Sequence, residues 1–173
     1  TSLYKKLSYK NEELEFLGLI NEAPSTLIGK QALPASNLAE LRTYIAANDG
    51  KVNLANAGFG SASHLCSLLL QNALKANMVF VPYKGTGPAM NDLLGGQVQL
   101  MFDGMATATA NTRAGKVKSL GIADTKRSTA LPDVPTFTEQ GVSGIDMTSW
   151  IGFFGPGSMP PAITTSCTPE STA

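Results

Sequence analysis

The sequence is poor in the residues that build metal sites and disulfide frameworks. Its 173 residues include two cysteines, one histidine and one tryptophan. One His and two Cys cannot supply the four ligands of a structural zinc site, so we expect no metal ion and no other cofactor. Cys66 lies in an apolar helical run and Cys167 near the chain end, which favours a buried, inert thiol at Cys66 over a disulfide between them.

Charged residues are also scarce, and neither sign is in excess. Lys plus Arg and Asp plus Glu number 13 each, and charged residues make up 15% of the chain, against about 25% in typical domains. No surplus of positive charge is available to displace counterions, so nucleic acid is not an expected partner. The longest uncharged stretches, 52–74 and 147–169, are too polar or too rich in proline to form the roughly 20-residue apolar helix that crosses a bilayer. Direct membrane insertion is therefore not predicted.

What the chain does contain is an alternation of short apolar runs with helical patterns. Six runs are predicted as strands, at residues 25–31, 52–58, 78–84, 98–103, 117–123 and 148–155. Three segments with apolar residues at helical spacing are predicted as helices, at residues 37–47, 63–74 and 88–94. Short apolar strands separated by single helices indicate an α/β fold with a mostly parallel sheet flanked by helices on both faces.

The loop at residues 57–64, between a predicted strand and a predicted helix, has the composition of an anion site. Gly58 and Gly60 allow the backbone to approach a ligand closely, and Ser61 and Ser63 add hydroxyl donors. The helix N-terminus that follows favours negative charge. The loop therefore predicts a cradle for a carboxylate or a phosphate. A serine-capped helix after a tight turn is the alternative explanation of the same residues.

Two further strand ends carry polar groups. Lys84, Gly85 and Thr86 follow one strand, and Asp103 ends another. In open α/β sheets ligands bind beyond the carboxyl ends of the strands, so all four are candidate binding residues. The alternatives are a solvated Lys84 and an Asp103 that caps a helix starting near Met105.

Two enzyme patterns are present only in part. Ser63, His64 and Asp103 are the residue types of a nucleophilic triad, but adjacent residues at a helix start point in different directions, and no G-x-S-x-G motif occurs. The glycines of residues 58–60 imitate a dinucleotide fingerprint, yet the next strand ends in Tyr83 without a carboxylate for a ribose. A standalone enzyme domain that uses the 58–63 loop for a phosphorylated substrate or a nucleotide remains the alternative function.

Five segments together resemble the Bug-type substrate-binding proteins of tripartite tricarboxylate transporters. The order and spacing match over most of residues 3–162, and the matching segments are 57–65 (AGFGSASHL), 81–103 (VPYKGTGPAMNDLLGGQVQLMFD), 114–117 (AGKV), 126–128 with 131–136 (KRS, LPDVPT) and 150–156. Members of that family are extracytoplasmic receptors with two α/β lobes joined by hinge strands. They clamp small organic anions, commonly carboxylates, and deliver them to the membrane components of the transporter.

For this chain the resemblance implies a periplasmic solute receptor that is not an enzyme, with a small organic carboxylate as ligand and the transporter's membrane components as partners. Its fold would be a lobe like those of periplasmic binding proteins. The residues expected to hold the ligand carboxylate are Gly58, Gly60, Ser61 and Ser63. Those expected to line the remaining wall are Lys84, Gly85, Thr86 and Asp103.

The chain also departs from the family pattern at both ends. The family's initial strand with its Pro-Gly-Gly-type loop, most of its first lobe and its long C-terminal segment are missing, which suggests a truncated product. We therefore expect a remnant of the first lobe and a hinge strand at residues 1–31, the second α/β lobe at 32–147 and a returning hinge strand at 148–163. Residues 164–173 are predicted to be a disordered or foreign tail.

Overall fold

A computed structural model of the chain describes residues 9–167 and confirms the α/β class. Its six strands are β1 (Leu14–Lys30), β2 (Asn53–Asn56), β3 (Val79–Pro82), β4 (Leu100–Gly104), β5 (Val117–Ala123) and β6 (Thr148–Pro156). Its five α-helices are α1 (Leu38–Ala47), α2 (Ala62–Leu74), α3 (Thr86–Leu94), α4 (Met105–Arg113) and α5 (Pro161–Cys167). The residues outside 9–167 are not described.

The sheet is mixed in its pairing although most of its strands share one direction. Along the sheet the order is β3-β2-β4-β1-β5, and β6 pairs with β1 off this path. β2 runs parallel to β3 and to β4, whereas β1 is antiparallel to both β4 and β5. Strands β2 to β5 therefore point the same way, as the parallel prediction requires, and β1 is inserted between β4 and β5 in the opposite direction.

Two apolar layers cover the two faces of this sheet. Alternate residues of one strand belong to different layers: Leu27 packs with the first and Ile28 with the second, because successive side chains of a strand point to opposite faces. The first layer includes α1 and α2 through Leu41 and Leu70. The second includes α3 and α4, the latter through Ala108. Helices on both faces are what the sequence predicted.

The chain forms two compact units. The sheet unit comprises residues 23–149, and the terminal unit comprises residues 1–22 and 150–173, of which 9–22 and 150–167 are described. The lobe and hinge roles expected for residues 1–31, 32–147 and 148–163 stay predictions. In the predicted tail, residues 164–167 differ from the expected disorder, since they continue the exposed helix α5; residues 168–173 lie outside the described part.

Cys66 is a free thiol in the core of the sheet unit. It has no exposed surface, and its Sγ donates to Met147 Sδ at 3.2 Å. Burial raises the pKa of the thiol, so the reactive thiolate is disfavoured, as expected for an inert cysteine. Cys167 is also free. Within residues 9–167 no helix is long and apolar enough to cross a membrane; α2, with 13 residues, is the longest.

Candidate ligand-binding site

Three helix N-termini meet at one cavity of the sheet unit, which has a volume of about 250 Å³. α2, α3 and α4 begin at Ala62, Thr86 and Met105, and each is the next helix after β2, β3 and β4, respectively. Because these strands run in one direction, their carboxyl ends share one edge of the sheet. The residues that line the cavity are Ser25, Ala57, Ser61, Ala62, Ser63, Thr86, Phe102, Asp103, Gly104 and Ser149.

The turn between β2 and α2 requires its glycines. Gly58 has a φ of 111°, and a Cβ there would lie 3.1 Å from the Tyr83 carbonyl oxygen. Gly60 has a φ of 77°. Both values belong to the left-handed region that side chains disfavour. The two glycines therefore shape the loop, and neither lines the cavity. Their predicted contact with the ligand stays a prediction.

Ser61 and Ser63 both line the cavity and hold the loop on the helix. Ser61 Oγ donates to the Gly58 carbonyl at 2.7 Å and accepts from the His64 N–H at 3.2 Å, which makes Ser61 the N-cap of α2. Ser63 Oγ accepts from the Ala57 N–H at 2.9 Å and lies 3.1 Å from Ser61 Oγ. The capping explanation is therefore confirmed for Ser61, whose hydroxyl is also part of the cavity wall, and the carboxylate cradle stays a prediction.

Among the residues predicted from the next loop, only Thr86 reaches the cavity. It is the first residue of α3 and follows Gly85, whose φ is 111° and which provides no side-chain cap. Lys84 is exposed and does not line the cavity. Its predicted contact with the ligand stays a prediction. Gly85 has a backbone role like that of Gly58.

Asp103, the residue before the last of β4, is a buried carboxylate with 6% of its surface exposed. Thr107 Oγ1 donates to its Oδ2 at 2.5 Å. Burial raises the pKa of Asp103, and the hydrogen bonds from Thr107 and the Gly104 N–H only partly oppose this effect. The N-cap of α4 is Gly104, so Asp103 does not have the capping role that was the alternative. Asp103 and Thr86 also line a second cavity of about 190 Å³.

The raised pKa of Asp103 predicts a pH-dependent stability. The folded chain binds the Asp103 proton more tightly than the unfolded chain, so this group stabilises the fold most at acid pH, below the unfolded pKa of about 3.9. That contribution declines as the pH rises through the folded pKa. Asp103→Asn cannot titrate, so relative to wild type the variant should gain unfolding free energy as the pH rises. Urea unfolding of both chains across this range tests the prediction, and parallel curves would contradict it.

Ser25 and Ser149 line the cavity but were not predicted as site residues, because their positions depend on pairing between distant segments. Ser25 is 4% exposed and lies opposite Gly104 in the antiparallel ladder of β1 and β4. Ser149 belongs to β6, more than 120 residues further along the chain. No local pattern marks either residue: Ser25 lies in the second half of β1 and Ser149 is the second residue of β6, and both segments are recognisable in the sequence only as apolar runs.

The arrangement favours binding of an anion over catalysis. Within the described residues no Lys or Arg lines the cavity, so the positive potential comes from the ends of α2, α3 and α4. His64 Nδ1 accepts from the Gly60 N–H at 3.3 Å, and Ser63 Oγ is occupied by Ala57 and Ser61. None of the hydrogen bonds found over residues 9–167 links His64 to Asp103, so the triad that the residue types suggested is not assembled.

Comparison with known proteins places the chain in one family. Residues 1–170 match the family model of the tripartite tricarboxylate transporter family receptor. The periplasmic binding protein BugD is 42% identical, with a TM-score of 0.90 over 96% of this chain and 56% of BugD. MatC from Rhodopseudomonas palustris with bound malate is 36% identical, with a TM-score of 0.87 over 96% and 57%. R. palustris Rpa4515 with adipate is 28% identical, with a TM-score of 0.91 over 95% and 56%.

The chain belongs to the tripartite tricarboxylate transporter receptor family. It is therefore related to periplasmic solute-binding proteins and not to a family of enzymes. The resemblance seen in the sequence is confirmed. The chain spans about half the length of the curated relatives it matches.

Proposed function

We propose that the cavity at the ends of α2, α3 and α4 binds the carboxylate of a small organic anion. In this proposal the chain is the ligand-binding lobe of a periplasmic receptor, which delivers its ligand to the membrane components of a tripartite tricarboxylate transporter. The observation that carries the proposal is the convergence of three helix N-termini on a cavity that no cationic side chain of residues 9–167 lines.

The first turn of α2 is the best anion site in the cavity. Ser61, Ala62 and Ser63 line the wall there, at the positive end of the longest helix. Backbone N–H groups at such an end bind carboxylate or phosphate, and each charge-assisted hydrogen bond is worth about 1.5–3 kcal/mol. Lys84 remains in water, so the site binds its anion through hydrogen bonds at the helix end and not through a salt bridge with Lys84.

The size of the cavity and the relatives support a small carboxylate. A cavity of about 250 Å³ in this lobe accommodates a carboxylate and a few attached atoms, and the opposing lobe of the receptor would enclose the rest of the ligand. MatC was solved with bound malate and Rpa4515 with adipate. The description of BugD as a periplasmic binding protein supports the proposed location.

Ser61→Ala is expected to weaken the binding of succinate roughly tenfold or more, since it removes a wall hydroxyl and loosens the N–H groups it positions. Ligand-observed saturation-transfer NMR gives apparent dissociation constants and tolerates weak binding. Asn37→Ala is the matched control, because Asn37 caps α1 through the Glu40 N–H at 2.9 Å and lies outside the cavity wall.

The outcomes separate the proposal from its alternative. An unchanged constant in Ser61→Ala, or an equal loss in Asn37→Ala, would remove α2 from the binding site. Displacement of succinate by inorganic phosphate at a much lower concentration than succinate itself requires would favour a phosphorylated ligand instead.

A further inference from the structure

We infer that Asp103 selects, among small carboxylates, those that carry a hydrogen-bond donor next to a carboxylate: a 2-hydroxy acid or a 2-amino acid. The inference rests on the proposed function, because it concerns the same cavity. It goes further by naming the group that discriminates and the chemistry that it prefers.

Asp103 differs from every other polar side chain in the wall of the cavity. The side chains of Ser25, Ser61, Ser63, Thr86 and Ser149 are hydroxyls, which donate and accept. An ionised aspartate accepts only. Its two oxygens offer about four lone-pair sites, and Thr107 occupies one of them through Oδ2. A ligand hydroxyl or ammonium group therefore finds an acceptor here.

Repulsion between the ligand carboxylate and the Asp103 carboxylate strengthens the preference for a ligand that carries a donor. A ligand carboxylate bound at the N-terminus of α2 and the Asp103 carboxylate border the same small cavity. At this degree of burial water screens their repulsion poorly. When Asp103 is ionised, a ligand that brings only carboxylates and methylene groups meets this repulsion without a compensating hydrogen bond. A ligand with a donor beside its carboxylate replaces part of the repulsion by a charge-assisted hydrogen bond.

Asp103 is placed for this role and not only for holding α4. A purely structural carboxylate would be enclosed by protein groups, whereas Asp103 borders two cavities, one shared with Ser61 and Ser63 and one with Asn91 and Asn111. The bond from Thr107 comes from within α4 and fixes the carboxylate at the cavity wall.

Three four-carbon acids test the inference, because succinate, malate and aspartate differ only in hydrogen, hydroxyl or ammonium at carbon 2. In the wild-type chain, saturation-transfer NMR should give roughly tenfold or tighter binding of malate or aspartate than of succinate, the gain expected from one charge-assisted hydrogen bond. In Asp103→Asn, aspartate should lose about that factor while succinate binds equally or more tightly. The exposed Asp133→Asn is the control and should leave the order unchanged.

Each outcome decides the question. A preference for either donor-bearing acid that disappears in Asp103→Asn supports the inference, and the preferred acid identifies the donor. Equal binding of all three acids in wild type, or an unchanged order in Asp103→Asn, overturns it while leaving the proposed function intact. Binding of none of them overturns both. If Asp103→Asn fails to fold, 2-methoxysuccinate provides the test in the wild-type chain, because it keeps the oxygen of malate at carbon 2 but has no proton to donate. It should bind no better than succinate, and binding as tight as that of malate overturns the inference.

Discussion

Phe137→Ala is expected to lower the free energy of unfolding by about 3–5 kcal/mol, the usual cost of deleting a buried aromatic ring. Phe137 has no exposed surface and belongs to the larger apolar layer of the sheet unit. Its ring lies 5.9 Å from that of Phe102, and its backbone N–H donates to the Ile122 carbonyl at 3.1 Å. Because the ring is fully buried and packs against Phe102, its removal leaves a cavity that the surroundings cannot easily fill.

Urea unfolding measures this loss, which should appear as a lower midpoint with little change in slope. Phe59→Ala is the matched control, since Phe59 is 75% exposed and packs on the His64 ring at a centroid distance of 4.8 Å. Its loss should cost about 1 kcal/mol or less. If Phe137→Ala lowered the free energy of unfolding no more than this control does, the two rings would contribute equally to stability, and the description of the core would be wrong.

The same substitution connects the core to the candidate site. Phe102 packs against Phe137 on one side and lines the cavity on the other. Movement of Phe102 into the space left by Phe137 would therefore displace the end of β4, which carries Asp103. Weaker ligand binding in a variant that still folds would show that the shape of the cavity depends on this aromatic pair.

Local spacing was sufficient to predict the helices whose apolar faces are large. Leu38, Leu41 and Ile45 follow the helical period and are all buried in α1. α4 was not predicted beyond its start because its buried residues, Met105, Ala108 and Thr109, are mostly small and give no strong apolar stripe. The helices that can be predicted from the sequence are therefore those that bury large apolar side chains at helical spacing.

β1 is a strand whose first half local sequence patterns did not predict. The strand starts at Leu14, eleven residues before the predicted start at Ser25. Its first part, residues 14–22, is mostly exposed, and its apolar residues, such as Phe16 and Leu19, are interrupted by Glu15, Gly18 and Asn21, so it lacks the unbroken apolar run of a buried strand. Its antiparallel insertion between β4 and β5 depends on contacts between distant segments, which no local pattern encodes.

The residues of the candidate site also differ in whether local sequence patterns could predict them. Ser61, Ser63, Thr86 and Asp103 were found because strand ends followed by helix starts are visible in the sequence. Ser25 and Ser149 were missed because only the pairing of β1 brings them to that edge. Lys84 was included because its charge suits an anion, but the side chain at that strand end faces solvent.

The purified chain is expected to self-associate at micromolar concentrations through its terminal unit. Most of the large apolar side chains exposed in the described residues belong to this short unit: Tyr9, Leu14, Phe16, Leu19, Ile20, Trp150, Ile151, Phe153, Phe154 and Ile163. β6 pairs with β1 and with no other strand over residues 9–167. Apolar patches larger than a few hundred Å² and unpaired strand edges both favour association.

Phe153→Lys should shift the chain toward monomer, because it places a charge on an exposed strand without breaking the aromatic contacts of its neighbour. Phe154, by contrast, packs edge-on against Phe16 at 5.2 Å and lies 6.3 Å from Trp150. Ser158→Lys adds the same charge at an exposed position after β6 and is the control for a general effect of charge on solubility. Sedimentation velocity over a concentration series measures the state of all three chains.

The expected order follows from where the apolar surface lies. Wild type and Ser158→Lys should sediment as concentration-dependent assemblies, and Phe153→Lys should be largely monomeric at the same concentrations. An equal shift toward monomer in both lysine variants would mean that net charge controls the association, since the wild-type chain has no net charge at neutral pH. A monodisperse wild-type monomer that binds no apolar dye would mean that β1 and β6 satisfy their own apolar surface, and the patch would then have no role in association.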